Sequence, residues 1–388
     1  MAIKSVKING FKSINQLESL KLNPINILIG ANSAGKSNFI SYFKMLNAIL
    51  NKKFQTYIAT CGGADRILFN GSRTTKQIDA FIENQDGNSY HFVLSATVDN
   101  KLVFSSETPT HFFESFYKVD NDAVDDPKDF PYHQYPKLKT KHITHDDISS
   151  NAEELITNCD NSDIEAKMVD VFSGYYEWKI YHFHDTSDFA GVKRLGSVHD
   201  NAHLRYDASN LAAFLYKIKL SHKDNYQKII NVVRLAIPYF DNFVLEPHTL
   251  PTQEQQINLL WMQKNSDYPF WPSQLSDGAV RFICLAAALL QPNPPSTIII
   301  DEPELGLHPY AILLLAELIK VVSNTTQIIL ATQSVTLLNH FNVDDLIITE
   351  NQNGISTFKR LNTTEYKEWL NDYSVGELWE KNIFGGRP

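Results

Sequence analysis

Cysteine is scarce: Cys61, Cys159 and Cys284 stand far apart in 388 residues and form no C-x-x-C pair. That spacing excludes a disulfide-stapled scaffold and a cysteine zinc site, and it suits a reducing compartment. Long apolar runs are missing as well. The longest, "FICLAAALL" and "AILLLAELI", fall short of the roughly 20 residues that span a bilayer. The opening "MAIKSVKINGFKS" alternates like a first strand and lacks the apolar core of a signal peptide. A soluble, cytoplasmic chain without a membrane partner is expected. Excess positive charge is absent too: 35 Lys and Arg against 44 Asp and Glu leave a net charge of -9. A nucleic-acid coat is thereby disfavoured, although a local basic surface is not. Neither an internal repeat nor a sustained heptad is present, so no long coiled-coil arm is expected. What is abundant is apolar material, 43% hydrophobic with 12% aromatic residues. That composition belongs to a folded chain with a large core, of a length for two or three lobes.

Residues 30–38 read "GANSAGKSN". Gly30, Gly35, Lys36 and Ser37 fit the phosphate-binding pattern G-x-x-x-x-G-K-[ST], with Ala31, Asn32, Ser33 and Ala34 completing the loop and Asn38 following it. Upstream "INILI" reads as a buried strand, and downstream Phe39, Ile40, Phe43, Leu46 and Leu50 recur at helical spacing. A strand–loop–helix is the context the motif requires. Glycine lets the backbone curl its N–H groups inward, and the helix N-terminus adds partial positive charge. Lys36 would reach the β- and γ-phosphates of ATP, and Ser37 would ligate Mg²⁺.

A second strand signal, "STIIIDEPELGLHP", carries acids at its end. Asp301 would hold Mg²⁺, directly or through water, and Glu302 would polarise the attacking water. Shortly before it lies "LSDGAVRFICLAAALL", in which Ser276 or Asp277 can cap a helix and Gly278 follows. A serine hydroxyl and a glycine at a helix N-terminus also suit a phosphate.

The order P-loop, long insertion, L-S-x-G, Asp-Glu strand and then "IILATQS" resembles the ABC-type ATPase signature. "GANSAGKSN" and "DEPELGLHP" look like the SMC, RecF and OLD ATPases rather than transporter subunits. The segments "YHFHDTSDFAGVKRL", "DASNLAAFLY" and "GELWEKNIFGGRP" look like a stand-alone bacterial family of predicted ABC-type ATPases. This likeness runs over nearly the full length and is looser between residues 100 and 175. It implies that Ser276, Asp277 and Gly278 touch ATP held by a second copy, so that a complete site needs a homodimer. Gln333 stands where transporters place a histidine. It can hydrogen-bond the γ-phosphate or water but cannot carry charge, so slow turnover is expected. OLD-type nucleases carry a TOPRIM domain after the ATPase, and the stretch beyond Glu350 is too short for one.

The remaining features are weaker. His182, His184 and Asp185 in "YHFHD" could begin a metal site but lack a fourth ligand. The acidic run Asp120, Asp122, Asp125, Asp126 and Asp129 has neither the glycine nor the terminal glutamate of an EF-hand. Lys137, Lys139 and Lys141, beside Tyr132 and Tyr135, read as a basic surface patch or a nucleic-acid edge. Arg66 and Arg73 cannot be placed from sequence.

The expected fold is α/β, a P-loop NTPase of the RecF/SMC-like ABC head type, with an antiparallel β part and a helical insertion lobe. Residues 1–105 would be the N-terminal part of the ATPase lobe, 106–260 an insertion and helical lobe with an exposed stretch over 106–150, and 261–388 the C-terminal part of the ATPase lobe. Residues 151–235 should be mainly helical. The expected activity is ATP hydrolysis at a composite site in a head-to-tail homodimer. It would serve as a nucleotide-gated sensor or scaffold for a separately encoded effector, a nuclease or toxin, in bacterial antiphage defence. The alternative is a RecF-like repair ATPase that binds DNA directly.

Overall fold

The structure, a computed structural model, describes residues 2–109 and 178–386. Two compact units emerge. One comprises Ile3–Ser19 with the described part of Lys44–Tyr176, the other Leu20–Phe43 with the described part of Glu177–Pro388.

The first unit holds an antiparallel sheet. Strands β1 (Ile3–Phe11) and β2 (Ile14–Lys21) come first, and β3 (Ile25–Ile29) then enters the other unit. Helix α1 (Lys36–Leu50) leads to the short helices α2 (Phe54–Thr60), α3 (Ala64–Ile67) and α4 (Gly71–Thr74). Strands β4 (Gln77–Asn84), β5 (Ser89–Ala96) and β6 (Leu102–Pro109) complete a sheet of order β2-β1-β4-β5-β6. Its β4 alternates strictly, with Ile78, Ala80 and Ile82 fully buried. This is the period-2 pattern of a sheet with one face on a core. At the Asp86-Gly87 turn Gly87 takes φ 86° and Asn88 N–H donates to Asp86 Oδ1 at 3.1 Å.

In the second unit β7 (Trp178–Tyr181) and β8 (Gly196–Ser197) precede helices α5 (Leu211–Ser221) and α6 (Lys223–Ala236). Short strands follow: β9 (Phe240–Val244), β10 (His248–Thr249), β11 (Gln255–Ile257), β12 (Leu260–Gln263) and β13 (Pro269–Phe270). Then come α7 (Asp277–Leu289), β14 (Thr297–Asp301), α8 (Pro309–Val322), β15 (Gln327–Ala331) and α9 (Val335–Leu338). Strands β16 (Leu346–Gln352) and β17 (Ile355–Arg360) and helix α10 (Val375–Glu380) close the chain.

The central sheet has the order β17-β16-β3-β15-β14-β7. All its neighbours are parallel except the β16–β17 hairpin. Both faces are covered, which is why "INILI", "TIII" and "QIILA" read as continuous apolar runs. Ile27, Ile29, Ile298, Ile300, Ile328 and Leu330 join one core with α5 to α10. Each fully buried isoleucine contributes roughly 2 kcal/mol. On α1, Phe39 packs on Phe358 at 5.3 Å and Phe43 on Trp178 at 5.8 Å between ring centroids.

In the last third helix and strand alternate from α7 to α9. Residues 178–210 differ from the helical expectation, because Trp178–Tyr181 adds an edge strand parallel to β14. This strand and helices α5 and α6, all inside the segment 106–260, belong to the core of the second unit. The exposed insertion expected over 106–150 begins within β6 and otherwise lies outside the described residues. So do the acidic run from Asp120 to Asp129, the Lys137 to Lys141 patch with its tyrosines, and Cys159. No helix among the described residues is long and apolar enough to cross a membrane.

Candidate nucleotide site

Three parallel strands, β3, β15 and β14, end side by side. Leu28 pairs with Ala331, and Ala331 with Asp301, so the loops that follow all leave one edge of the sheet. Ligands of open α/β sheets bind outside these carboxyl ends. After β3 the glycine loop turns sharply, with Ser33 at φ 65° and Gly35 at φ 117°, and Ala34 N–H returns to Ala31 O at 3.2 Å. Gly30 has no room for a side chain, because a Cβ there would collide with the Thr349 carbonyl. The loop is braced from the β16–β17 hairpin: Ser356 Oγ donates to Ala34 O at 2.7 Å and Asn351 Nδ2 to Ser33 O at 3.4 Å. Asn32, Ser33 and Ser37 are exposed, whereas Ala34, Gly35 and Lys36 are buried.

Lys36 is 6% exposed, and its Nζ donates to Gly30 O at 2.7 Å and Ala31 O at 3.0 Å. Burial pulls its ammonium below the ordinary lysine range, and the charges of Glu302, Asp301 and Glu304 offset part of that. A buried cation held by neutral carbonyls, on a loop at a helix N-terminus and facing carboxylates, is the donor set that a metal-bound polyphosphate fits. Ser37, exposed on the loop, and Asp301, the last residue of β14, are the two residues that the sequence assigns to Mg²⁺ as an expectation.

After β14, Glu302 occupies a left-handed conformation at φ 43°, with its N–H donating to Ala331 O at 2.8 Å. Such a conformation costs a non-glycine residue on the order of 1 kcal/mol and is a mark of functional sites. Gln333 Nε2 donates to Glu302 Oε1 at 3.0 Å; the carboxylate can only accept, which orients the amide. Next to them, Glu304 Oε1 accepts from Thr332 Oγ1 at 2.6 Å and from Gln333 N at 3.3 Å.

Ser276, Asp277 and Gly278 make a different set of contacts. Ser276 Oγ caps α7 by accepting Ala279 N–H at 3.3 Å, worth about 1 kcal/mol. Both Ser276 and Asp277 are exposed. Asp277 Oδ1 meets Lys193 Nζ at 3.4 Å, and the Lys193 side chain is only 5% exposed. A Cβ on Gly278 would run into Gly306 O, so α7 lies hard against the turn after Glu302. Arg281 ties that junction together, with Nε donating to Phe183 O at 2.9 Å, Nη2 to His184 O at 3.1 Å and Nη1 to Leu305 O. Burial lowers the Arg281 pKa, since its partners are carbonyl dipoles.

Lys36, Glu302 and Gln333 are thus brought together, while Ser276 and Asp277 stay exposed and Gly278 packs against Gly306. His182 and His184 stack at 3.9 Å, and His184 Nε2 reaches Asp301 O at 3.1 Å, which makes them a support of the β14 end. Among the described residues no group of three or more His, Cys, Asp and Glu could hold a metal ion. Arg66 and Arg73 lie on α3 and α4 in the other unit.

Several residues of this region carried no usable sequence signal: Glu304, Thr332, Arg281, Lys193 and Ser356. Another is the C-terminal Gly385-Gly386 turn. Gly386 takes φ 74° and donates its N–H to Glu350 Oε1 at 2.8 Å. A Cβ on it would lie 3.6 Å from Gly30 Cα. The hairpin could have been found, because Asn353-Gly354 between alternating residues signals a tight turn, and both take left-handed φ, 54° and 85°.

Residues 25–339 match the family described as "AAA domain, putative AbiEii toxin, Type IV TA system". Among solved structures, the chain is similar to an SMC head bound to the C-winged helix domain of ScpA. The identity is 14%, the match covers 95% of this chain and 100% of that one, and the TM-score is 0.59. It is also similar to an SMC head domain with an extended coiled coil, bound to the C-terminal domain of ScpA derived from Pyrococcus furiosus. Here the identity is 13%, with 96% and 99% covered and a TM-score of 0.55. At such identities the likeness speaks for the fold. No curated protein matches the chain. The chain belongs to this AAA-domain family and has the fold of an SMC-like, ABC-type ATPase head.

Proposed function

We propose that the protein binds and hydrolyses ATP with Mg²⁺ at a composite site between two copies arranged head to tail. The observation that carries this reading is the Glu302–Gln333 pair, with the Glu302 charge acting on the buried Lys36 ammonium, while the Ser276 cap of α7 stays exposed. One protomer holds the machinery for one side of a γ-phosphate and offers a second phosphate-compatible helix end to another molecule. A two-fold interface that exchanges these surfaces makes two equal sites.

In this mechanism Lys36 exchanges its bonds to Gly30 and Ala31 for phosphate oxygens. Ser37 and Asp301 would hold Mg²⁺, which would neutralise phosphate charge. Glu302 accepts a proton as water oxygen attacks the γ-phosphorus and the bridging Pβ–O–Pγ bond breaks, with Gln333 holding the Glu302 carboxylate in place. Ser276 and Gly278 of the partner cover the γ-phosphate, so hydrolysis opens the dimer.

The output is control of a separately encoded effector, a nuclease or toxin, in bacterial antiphage defence. Support comes from the family description, which names a toxin of a toxin–antitoxin system, and from SMC heads solved with a bound partner protein. The test is Glu302→Gln, which should retain ATP and double the mass of the protein in solution when ATP and Mg²⁺ are added. A mass that stays monomeric with ATP bound refutes the composite site. Pull-down of products of neighbouring genes, run beside DNA-binding assays at low salt, separates effector control from direct action on DNA.

A further inference from the structure

Two residues beyond Glu302 the chain carries another glutamate in different surroundings. Glu304 Oε1 accepts two hydrogen bonds, from Thr332 Oγ1 at 2.6 Å and Gln333 N at 3.3 Å, whereas Oε2 is buried without a hydrogen-bond partner. An ionised carboxylate offers about four acceptor sites, and burying one with an oxygen bare is costly. Burial accordingly pushes the Glu304 carboxyl up from its ordinary value, with the bonds from Thr332 and Gln333 offsetting part of the effect.

The bonds run on from there. Thr332 Oγ1 accepts the Ser334 N–H at 3.0 Å, so its own proton goes to Glu304. Ser334 Oγ in turn caps α9 by accepting Leu337 N–H at 3.1 Å. The backbone of Gln333 is held between these bonds, and from that position its side chain meets Glu302 at 3.0 Å.

We propose that Glu304 is a positioning residue that latches residues 332–334 to the turn after β14 by hydrogen bonding, and that it needs no negative charge to do so. The proposal rests on the ATPase reading above. Glu302 and Glu304 therefore respond in opposite ways to the same Glu→Gln change. An amide keeps an acceptor for Thr332 and Gln333, and its NH2 takes the place of a protonated Oε2.

The test is steady-state ATPase kinetics on the full chain for wild type, Glu302→Gln, Glu304→Gln, Glu304→Ala and Thr332→Val. Glu304→Gln should keep kcat within about twofold of wild type. Glu304→Ala and Thr332→Val should each lower kcat about tenfold with KM nearly unchanged, the signature of a contact that matters after binding. Their double variant should be no worse than Glu304→Ala, because both changes open one latch. If Glu304→Gln falls as far as Glu302→Gln, or the two losses multiply, the latch is wrong. If Glu304→Ala fails to fold, Glu304→Gln and Thr332→Val still decide. A wild-type protein that binds ATP but never hydrolyses it overturns the ATPase reading itself, and the latch with it.

Discussion

Gln333 Nε2 and Glu302 Oε1 lie 3.0 Å apart, joining the residue that follows Asp301 in β14 to the segment beyond β15. If Glu302 is the base and Gln333 its orienting partner, Glu302→Gln should lower kcat by two to four orders of magnitude, the usual worth of a positioned base. Gln333→Ala should cost about tenfold, with ATP binding retained. The comparison needs single-turnover hydrolysis alongside a fluorescent-nucleotide binding curve. Equal loss of binding in both variants would show that the pair acts on affinity instead.

Lys36 should set the pH dependence of ATP binding. Its pKa is lowered from 10.5, first by burial. The folded, nucleotide-free protein therefore gives up this proton earlier than the unfolded chain does. A lysine depressed in this way costs stability while it is charged, and the cost is relieved as pH rises through the lowered value. Anionic phosphates act the other way and favour the ammonium. ATP affinity should thus decline on the alkaline side before the ordinary lysine range is reached. In Lys36→Met it should be weak throughout and lack that step, which isothermal titration across pH would reveal.

The Gly385-Gly386 turn lies close to the first loop glycine, so nucleotide affinity should depend on this turn. At Gly386 the backbone is left-handed, and a Cβ would press to 2.9 Å from Ile348 Cγ2. Gly386→Val should weaken ATP binding about tenfold and leave kcat at saturating ATP near that of wild type. Gly30→Ala meets backbone instead of a side chain, and the melting temperature should register a loss of several kcal/mol.

Arg281 and Gly278 test whether α7 and the turn after Glu302 move as one body. Arg281→Met leaves the carbonyls of Phe183, His184 and Leu305 without their donor and should destabilise by about 2 to 4 kcal/mol. Gly278→Ala forces α7 away from Gly306. The measurement is ATP-dependent dimerisation at a temperature where both variants remain folded. Gly278→Ala should bind ATP as a monomer. A normal ATP-bound dimer would remove the signature from the site.

Much of the machine follows from local chain chemistry. The glycine loop, the buried strand before it and the helix after it lie within one stretch, so spacing and periodicity reveal them without the rest of the fold. Asp301 and Glu302 at the end of a β-branched run, and Ser276 as an N-cap, are local in the same sense. By contrast, the partners of Glu304 lie 28 and 29 residues away, Arg281 reaches back 98 residues to Phe183, and Ser356 crosses 322 residues to Ala34. No periodicity encodes such pairs, because they are set by the order in which strands join the sheet. The sequence by itself determined which side chains are candidates to hold a phosphate and activate water, since those roles need particular functional groups on particular short elements. Only the tertiary structure decided which glutamate meets the Gln333 amide and which is buried against Thr332, because burial and partner geometry, not residue type, separate two carboxyl groups two residues apart.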